Sequence, residues 1–360
     1  MIYAENEGIK ISAIAAAVPE RVFSIEKRLE DPEEDPKFIR NFMKSTGIHE
    51  KRSCPMTQTA ADFSVAAAKQ IEEAGKYSPE EIGVLINITQ TPDYRTPSTA
   101  LAMHKRLGLS DSCLAFDINL GCSGFVYGVS VAAALLQTSS ATKALVTIGD
   151  TLARRRRNSK EKRTSNTSML FGDASCAVLL ERDPSGRVRT GLKSDGNGHK
   201  ALASPYNAWK HPEGPESIPG DDIAVFNFTI REVPELIRDF CDKVGTAMEE
   251  YDALALHQAN MMIIKNVAKR VGMPFEKIPV CLDRYGNTSG ASVPLSLVDK
   301  YGPSDEDKEV FLIASGFGIG LSWGVADFRM NVKDILPVTV VPLDAPSYDD
   351  GYPDDLPIPE

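Results

Sequence analysis

A cysteine between two glycines is the first feature of this sequence that could do chemistry. The stretch NLGCSGFVYG, residues 119–128, places Cys122 where an apolar strand pattern, CLAFDI, gives way to an apolar helix pattern, FVYGVSVAAALL. Glycines at 121 and 124 allow a sharp bend and the approach of a substrate. Amide groups at the start of a helix favour thiolate over thiol. We therefore expect the turn to expose and activate a nucleophile, although a single cysteine beside glycine is more often a small buried hydrophobic residue.

Two more polar side chains follow apolar strand patterns. His257 lies in ALALHQAN and Asn287 in CLDRYGNTSGAS. Taken singly, the histidine could be a hydrogen-bonded core residue and the asparagine a turn residue. Open α/β sheets keep their sites beyond the carboxyl ends of the strands, so the three positions together predict one active site.

Apolar strand patterns alternate with segments that carry apolar residues at helical spacing. This alternation predicts mainly parallel sheets layered with helices. The last pattern, EVFLIASGFGIGLSWGVADFRM, instead predicts two strands joined at glycines, so that each sheet ends in an antiparallel edge. The strand patterns are IGVLINI (82–88), CLAFDI (113–118), KALVTIG (143–149), SCAVLLE (175–181), ALALHQ (253–258), KIPVCL (277–282) and EVFLIAS (309–315).

The composition is that of an ordinary globular protein. The chain has 360 residues, 42% of them hydrophobic, and a formal net charge of −10, which argues against general nucleic-acid binding. No stretch reaches the roughly 20 apolar residues of a membrane span, and MIYAENEGIK does not resemble a signal peptide, so we expect a cytoplasmic protein. Six cysteines without a CxxC pair indicate neither disulfides nor a zinc site, and we expect no metal.

Five motifs in this order, NLGCSGF, MLFGDAS, HQAN, YGNTSGASVP and GFGIGLSWG, resemble the beta-ketoacyl-acyl-carrier-protein synthase III family. The resemblance runs from about Gly8 to Met330. It implies an α/β, thiolase-like, five-layered α-β-α-β-α fold built from two similar halves. We place the nucleophile half at residues 1–183, the half with His257 and Asn287 at 184–333, and an acidic, proline-rich, extended tail at 334–360. Gly, Pro and Asn in residues 184–222 suggest the connection between the halves.

The resemblance also assigns roles within this site. Cys122 would be the acylated nucleophile, His257 and Asn287 would complete a Cys-His-Asn triad, and the backbone N–H groups of Cys122 and Ile319 would form an oxyanion hole. Both His257, as a neutral donor, and the Asn287 amide can donate hydrogen bonds to an enolate oxygen. The implied reaction is decarboxylative condensation of an acyl primer with a malonyl thioester to a 3-oxoacyl thioester, in fatty-acid or specialised acyl and polyketide biosynthesis.

The resemblance implies no permanently bound cofactor, coenzyme A or acyl-carrier-protein thioesters as substrates, and a homodimer. Three positions depart from the family pattern. Asn41 and Ser45 stand where housekeeping members carry a tryptophan and an arginine that hold the coenzyme A adenine. Met262 replaces an arginine that helps to dock the carrier protein. The choice between the two donors, and the primer itself, therefore stay open.

A basic run interrupts this acidic chain. ARRRRNSKEKR, residues 153–163, contributes seven positive charges and one acid. It is either a solvated loop or a landing site for the phosphopantetheine phosphate or an acidic carrier protein. We predict substrate or carrier binding by Asn260 in HQAN and by the arginines Arg154, Arg155, Arg156 and Arg157. The acidic tail is an inert overhang, a partner-docking segment or a self-inhibiting cover.

Other functions also fit parts of the pattern. An acyltransferase of the same fold would pass the acyl group to a nucleophile other than malonyl. Papain-like hydrolases present Cys, His and Asn in the same chain order, but within disulfide-rich secreted domains. A non-catalytic partner subunit would have no need for three reactive groups. A dinucleotide loop at GFGIGLSWG is disfavoured because a strand pattern follows it, not a helix.

Overall fold

The computed structural model describes residues 1–153, 166–206, 208–214 and 220–351. The strands are β1 Ile2–Pro19, β2 Val22–Ser24, β3 Glu50–Arg52, β4 Ile82–Ile88, β5 Leu114–Ile118, β6 Lys143–Asp150, β7 Ala174–Ser194, β8 Ala253–Leu256, β9 Glu309–Gly318, β10 Ser322–Asn331 and β11 Thr339–Val341. The helices are α1 Pro36–Thr46, α2 Ala60–Glu73, α3 Thr99–Arg106, α4 Gly124–Thr138, α5 Asn166–Leu170, α6 Asp222–Val244, α7 Met261–Val271, α8 Leu282–Tyr285 and α9 Ser292–Tyr301.

Nine of the described strands form one continuous sheet, and β2 and β3 form a separate pair. Two long strands, β1 and β7, join the two layers of the nine-stranded sheet, which are called the two sheets below. They pair antiparallel along almost their whole length, from Ile2 opposite Leu192 to Ala17 opposite Ser175. The first part of β7 also pairs with β6, which continues through β4 to β5 at the edge. The second part of β7 pairs with β10, which continues through β9 to β8. Pairs β4 with β5, β4 with β6, and β8 with β9 are parallel.

Helices cover both sheets and fill the space between them, which gives five layers. Between the sheets lie α4, which contacts strands of both sheets, and α9. Helices α2 and α3 pack on the outer face of one sheet, α6 packs on the outer face of the other, and α7 packs against α6. Three clusters of buried apolar side chains match these layers, represented by Phe125 between the sheets, Phe63 under α2 and Phe240 under α6. Burying one such side chain stabilises the fold by about 1.5–3 kcal/mol.

Several local predictions differ from the structure. Residues 184–194, predicted as part of a connection, form the second part of β7, so position 183 lies inside a strand. Pairing with β1 on one side and β10 on the other holds this segment extended despite its glycines. Residues 277–282 form no strand and lead through a turn into α8. The antiparallel pair β9 and β10 exists, but β10 lies between β7 and β9, not at an edge.

The described part of the C-terminal tail is attached to the rest of the molecule. Ile335 is fully buried in the core between the sheets, and β11 adds a parallel strand beside β1. This pairing places the tail next to α2. Within the described ranges, no helix combines the length and the apolar character that crossing a membrane requires.

Candidate active site

Cys122 lies between the end of β5 and the start of α4, as the sequence predicts, but for a different physical reason. Its side chain is buried, with 8% exposed. The neighbouring glycines are required by close packing, not by a left-handed backbone. A Cβ at Gly124 would lie 2.7 Å from Ile88 Cγ2, and one at Gly121 would lie 2.2 Å from Gln90 Oε1. The expectation that the turn exposes the thiol is therefore wrong.

The electrostatics of the thiol also differ from the prediction. Burial raises the pKa of the Cys122 thiol to about 12, with a further contribution from the Asp150 carboxyl. The nearby Ser289 side chain and the backbone of Cys122 and Ile319 lower this pKa only in part. A rise from 9.0 to about 12 corresponds to about 4 kcal/mol, whereas a helix N-terminus contributes about 1 kcal/mol. The resting nucleophile is therefore a thiol, not a thiolate.

His257 follows β8 and is held from several sides. Its backbone N–H donates to Ser315 O at 2.9 Å, and its ring packs edge-on against Phe317 at 5.4 Å between centroids. Nδ1 lies 2.8 Å from Ser292 Oγ, which already accepts the N–H of Gln258 at 3.2 Å. Because that oxygen accepts from Gln258, its own hydrogen can be donated to Nδ1, and we assign the ring proton to Nε2.

Burial keeps the His257 ring neutral. It lowers the pKa of His257 from 6.5 to about 4, and a hydrogen bond with the backbone of Ser289 opposes this shift in part. At neutral pH the ring is therefore uncharged and can donate through one N–H group.

Asn287 is fixed by its own backbone and by the turn that follows it. Its N–H donates to Leu170 O at 2.9 Å, and its carbonyl accepts from Gly172 N at 3.0 Å. Its side-chain Oδ1 accepts from Ser289 N at 2.9 Å. With Oδ1 held in this way, the NH2 group of Asn287 is the part of the amide that can donate to a ligand.

A single cavity of about 1470 Å³ reaches all three predicted catalytic side chains, Cys122, His257 and Asn287. Ile319 lines it as well, and its backbone lies close enough to the Cys122 thiol to oppose the rise of its pKa in part. The N–H groups of Cys122 and Ile319 are those predicted to form an oxyanion hole. The four residues come from four separate segments of the chain, and the fold places them at one cavity.

Comparison with known proteins agrees with this geometry. A curated beta-ketoacyl-[acyl-carrier-protein] synthase III of Symbiobacterium thermophilum is 32% identical over 333 residues, which cover 89% of this chain and 98% of that protein. One from Clostridium perfringens is 33% identical and covers 90% of this chain and all of its own length. The chain belongs to the beta-ketoacyl-[acyl-carrier-protein] synthase III family.

Family models and a solved structure support this assignment. The model for 3-oxoacyl-[acyl-carrier-protein] synthase III matches residues 116–196, and the model for its C-terminal part matches residues 241–330. The crystal structure of a 3-oxoacyl-(acyl-carrier protein) synthase from Burkholderia xenovorans has a TM-score of 0.88 and 30% identity. It covers 94% of this chain and 99% of that one. The fold is therefore the thiolase-like α/β fold of this synthase family.

The structure also places the residues predicted to bind substrate or carrier, and those that depart from the family pattern, relative to the cavity. Asn260 lines the cavity, but its side chain caps α7 by accepting from Ile263 N at 2.8 Å. Ser45 and Met262 line the cavity, whereas Asn41 is an exposed residue outside its lining. Arg154, Arg155, Arg156 and Arg157 lie outside the described residues. The chain enters this stretch beside the cavity, since Leu152 is part of the lining.

Sequence analysis missed two side chains at this synthase site. Ser292 orients His257, and its place five residues after Asn287 in NTSGAS carries no specific signal. Asp150 is a buried carboxyl that accepts from Gln90 N at 2.7 Å and from Thr89 Oγ1 at 3.1 Å. It ends β6, so the rule that pointed to Cys122 could have found it. Within the described ranges, no cluster of three His, Cys, Asp or Glu side chains is placed to bind a metal ion.

Proposed function

We propose that this chain condenses an acyl group carried on Cys122 with a malonyl thioester, releasing carbon dioxide and forming a 3-oxoacyl thioester. Membership in the synthase III family supports acyl-primed condensation of this kind. The main support for the residue roles is that a thiol, a neutral imidazole and a carboxamide line the same cavity. We infer that the protein acts as an acyltransferase through its Cys122 thioester.

In the first step the Cys122 sulfur attacks the carbonyl carbon of an acyl thioester. The carbonyl oxygen gains negative charge, which the N–H groups of Cys122 and Ile319 stabilise. The bond from carbon to the leaving sulfur breaks, and the thiol proton ends on that sulfur. The acyl-enzyme splits one hard reaction into two easier ones.

In the second step a malonyl thioester loses carbon dioxide and leaves an enolate. His257, through Nε2–H, and the Asn287 NH2 group donate hydrogen bonds to the enolate oxygen. The enolate carbon attacks the acyl carbon on Cys122, the carbon–sulfur bond breaks, and a proton from water restores the thiol. Neither donor has to ionise, in agreement with the lowered pKa of His257.

We further propose that acyl carrier protein and coenzyme A thioesters are the donors, with no permanently bound cofactor. Arg154 to Arg157 would attract the phosphate or the acidic carrier, since Leu152 already lies at the cavity. Asn260 would act mainly by holding the start of α7 in place. We also propose a homodimer in the cytoplasm.

The deciding experiment measures the intact mass of the protein after incubation with acyl-coenzyme A and acyl-carrier-protein thioesters. We expect a mass gain in the wild type and none in Cys122→Ala. In His257→Ala and Asn287→Ala, we expect acylation to persist. Carbon dioxide release from malonyl thioester should fall by about 10²–10³-fold, because each variant removes one enolate donor.

The same assay separates the alternatives. If Cys122 is acylated but no carbon dioxide is released from malonyl thioester, and the acyl group passes to an amine or alcohol, the function is plain acyl transfer and not condensation. Acylation that persists in Cys122→Ala would show that Cys122 is not the nucleophile. Replacing Arg155, Arg156 and Arg157 by glutamate should slow acylation from the carrier protein at low salt, and an unchanged rate would remove these arginines from the proposal.

A further inference from the structure

The described end of the chain, residues 343–351, lies beyond the part that matches the family and returns to the active-site cavity. The C-terminal family model ends at Met330. Curated relatives align over 98–100% of their own length, yet about a tenth of this chain stays outside those alignments. We call residues 343–351 the C-terminal segment.

The start of the C-terminal segment is anchored to the first sheet. The preceding strand, β11, pairs with β1 in parallel register, from Ala17 opposite Thr339 onward. Gln58 Nε2 donates to Pro342 O at 2.7 Å, and Leu343 N donates to Glu20 Oε2 at 3.0 Å. These bonds fix the direction in which the segment leaves the sheet.

The end of the C-terminal segment is held by residues of the cavity itself. Ser347, Tyr348 and Asp350 all line the cavity that contains Cys122. The half-buried Tyr348 ring lies 4.7 Å from the guanidinium of Arg106, which forms a 2.7 Å ion pair with Asp62, another lining residue. Such a cation–π contact contributes about 0.5–2 kcal/mol.

A second contact closes the segment against the loop after β4. Tyr94 donates its hydroxyl to Asp350 Oδ2 at 2.7 Å. Both residues line the cavity. An extension that merely packed on the surface would not need a partner within the cavity lining, whereas Tyr94, the partner of Asp350, belongs to it.

The lining of the cavity comes from two groups of elements. One side is built from α1, α6 and α7, and its Ile223 and Met262 side chains are 75% and 46% exposed, so it opens to the surface. The remaining lining residues include Asp62 of α2, Tyr94 and the C-terminal segment. The carrier or coenzyme end of a thioester is bulky and needs an open entrance, which the side at Ile223 and Met262 provides. An acyl group that extends away from this entrance would run toward the C-terminal segment.

We propose that the C-terminal segment forms a wall of the primer-binding part of the cavity, with Tyr348 as a specificity-determining residue. This proposal rests on acylation of Cys122 as described above. The ring of Tyr348, held by Arg106, limits the width available to the acyl chain, and the hydrogen bond from Tyr94 to Asp350 keeps the segment closed.

The test compares the wild type with four variants of the full chain. Tyr348→Ala and a truncation that removes residues 347–360 take away the wall. Tyr348→Phe keeps the ring on Arg106, and a truncation that removes only residues 352–360 shortens the acidic tail but keeps the segment. Acylation of Cys122 is followed by intact mass with straight-chain acyl-coenzyme A thioesters from two to twelve carbons.

We expect the ratio of twelve-carbon to two-carbon acylation rates to rise at least tenfold in Tyr348→Ala and in the longer truncation. Tyr348→Phe and the shorter truncation should keep the wild-type ratio. An unchanged or lower ratio in both wall variants, with melting temperatures equal to that of the wild type, would overturn the proposal.

A second readout does not depend on the proposed reaction. Alkylation of the Cys122 peptide by iodoacetamide and by a bulky N-aryl maleimide is compared by mass spectrometry. In the wall variants, the alkylation rate of the bulky reagent relative to that of the small reagent should be at least fivefold higher than in the wild type. An unchanged ratio would contradict the wall. If no thioester acylates the wild type but this ratio still rises, the proposed function fails while the wall stands.

Discussion

At the scale of single residues, the reactive groups rest in their uncharged forms. Burial raises the pKa of Cys122 to about 12 and lowers the pKa of His257 to about 4. A neutral imidazole with Nδ1 held by Ser292 is suited to donate a hydrogen bond, not to hold a charge. Neutral donors of this kind suit the proposed reaction, in which negative charge develops on the substrate and not on the protein.

The buried neutral His257 predicts a dependence of stability on pH. Its pKa is about 4 in the folded protein and about 6.5 in the unfolded chain, so between these values the unfolded chain binds more protons. Its contribution to stability is complete above pH 6.5 and is lost as the pH falls toward 4. At pH 5 this loss is about 2 kcal/mol. Between pH 7.5 and pH 5.0, the free energy of unfolding measured with denaturant should fall by about 2 kcal/mol more in the wild type than in His257→Gln. Equal losses in the two proteins would refute the neutral buried ring.

At the scale of elements, the hairpin of β9 and β10 leaves room for the nucleophile. Ile319 follows β9 directly, and its backbone lies close enough to the Cys122 thiol to lower the thiol's pKa. Gly318, the last residue of β9, faces Cys122 so closely that a Cβ there would lie 2.7 Å from Cys122 Cβ and 3.0 Å from its sulfur. A glycine at position 318 is thus needed for the close approach of the hairpin to Cys122.

Gly318→Ala should therefore damage the reaction more than the fold. The new methyl group must displace the Cys122 side chain or the hairpin, so we expect the rate of Cys122 acylation to fall at least tenfold. Gly196→Ala is the matched control, because a Cβ at Gly196 meets nothing within 4 Å. Intact mass gives the rates and thermal unfolding gives the stability. A variant that is acylated at the wild-type rate would show that the hairpin can move away at little cost.

At the scale of the whole molecule, one sheet edge indicates how two copies could associate. Among the described strands, β5 ends its sheet and pairs with β4 alone. Beside it, Leu114 on β5 and Leu101 on α3 are each 50% exposed. Open edges with apolar neighbours favour pairing with another chain. This edge leads directly to Cys122, so association here would support the site.

We expect a homodimer of about 78 kDa, twice the chain mass of 39.2 kDa, in light scattering after size exclusion. Leu101→Glu with Leu114→Glu should shift the protein to the monomer mass and slow acylation. Val22→Glu, an exposed apolar position on the separate two-stranded sheet, should leave the dimer intact. A monomeric wild type would exclude the dimer. A double variant that stays dimeric would show that the interface lies elsewhere.

The sequence alone determined which residue types could do chemistry and the strands that two of them follow. Cys122 and His257 come after β5 and β8, so the rule that sites lie beyond the carboxyl ends of strands finds both, whereas Asn287 comes after α8 and a strand pattern that forms no strand. The tertiary structure decided their protonation, because burial depends on side chains far away in the chain. It also decided the path of β7 and of the tail, since pairing with distant strands and contacts such as that of Tyr348 with Arg106 leave no periodic signal in the sequence.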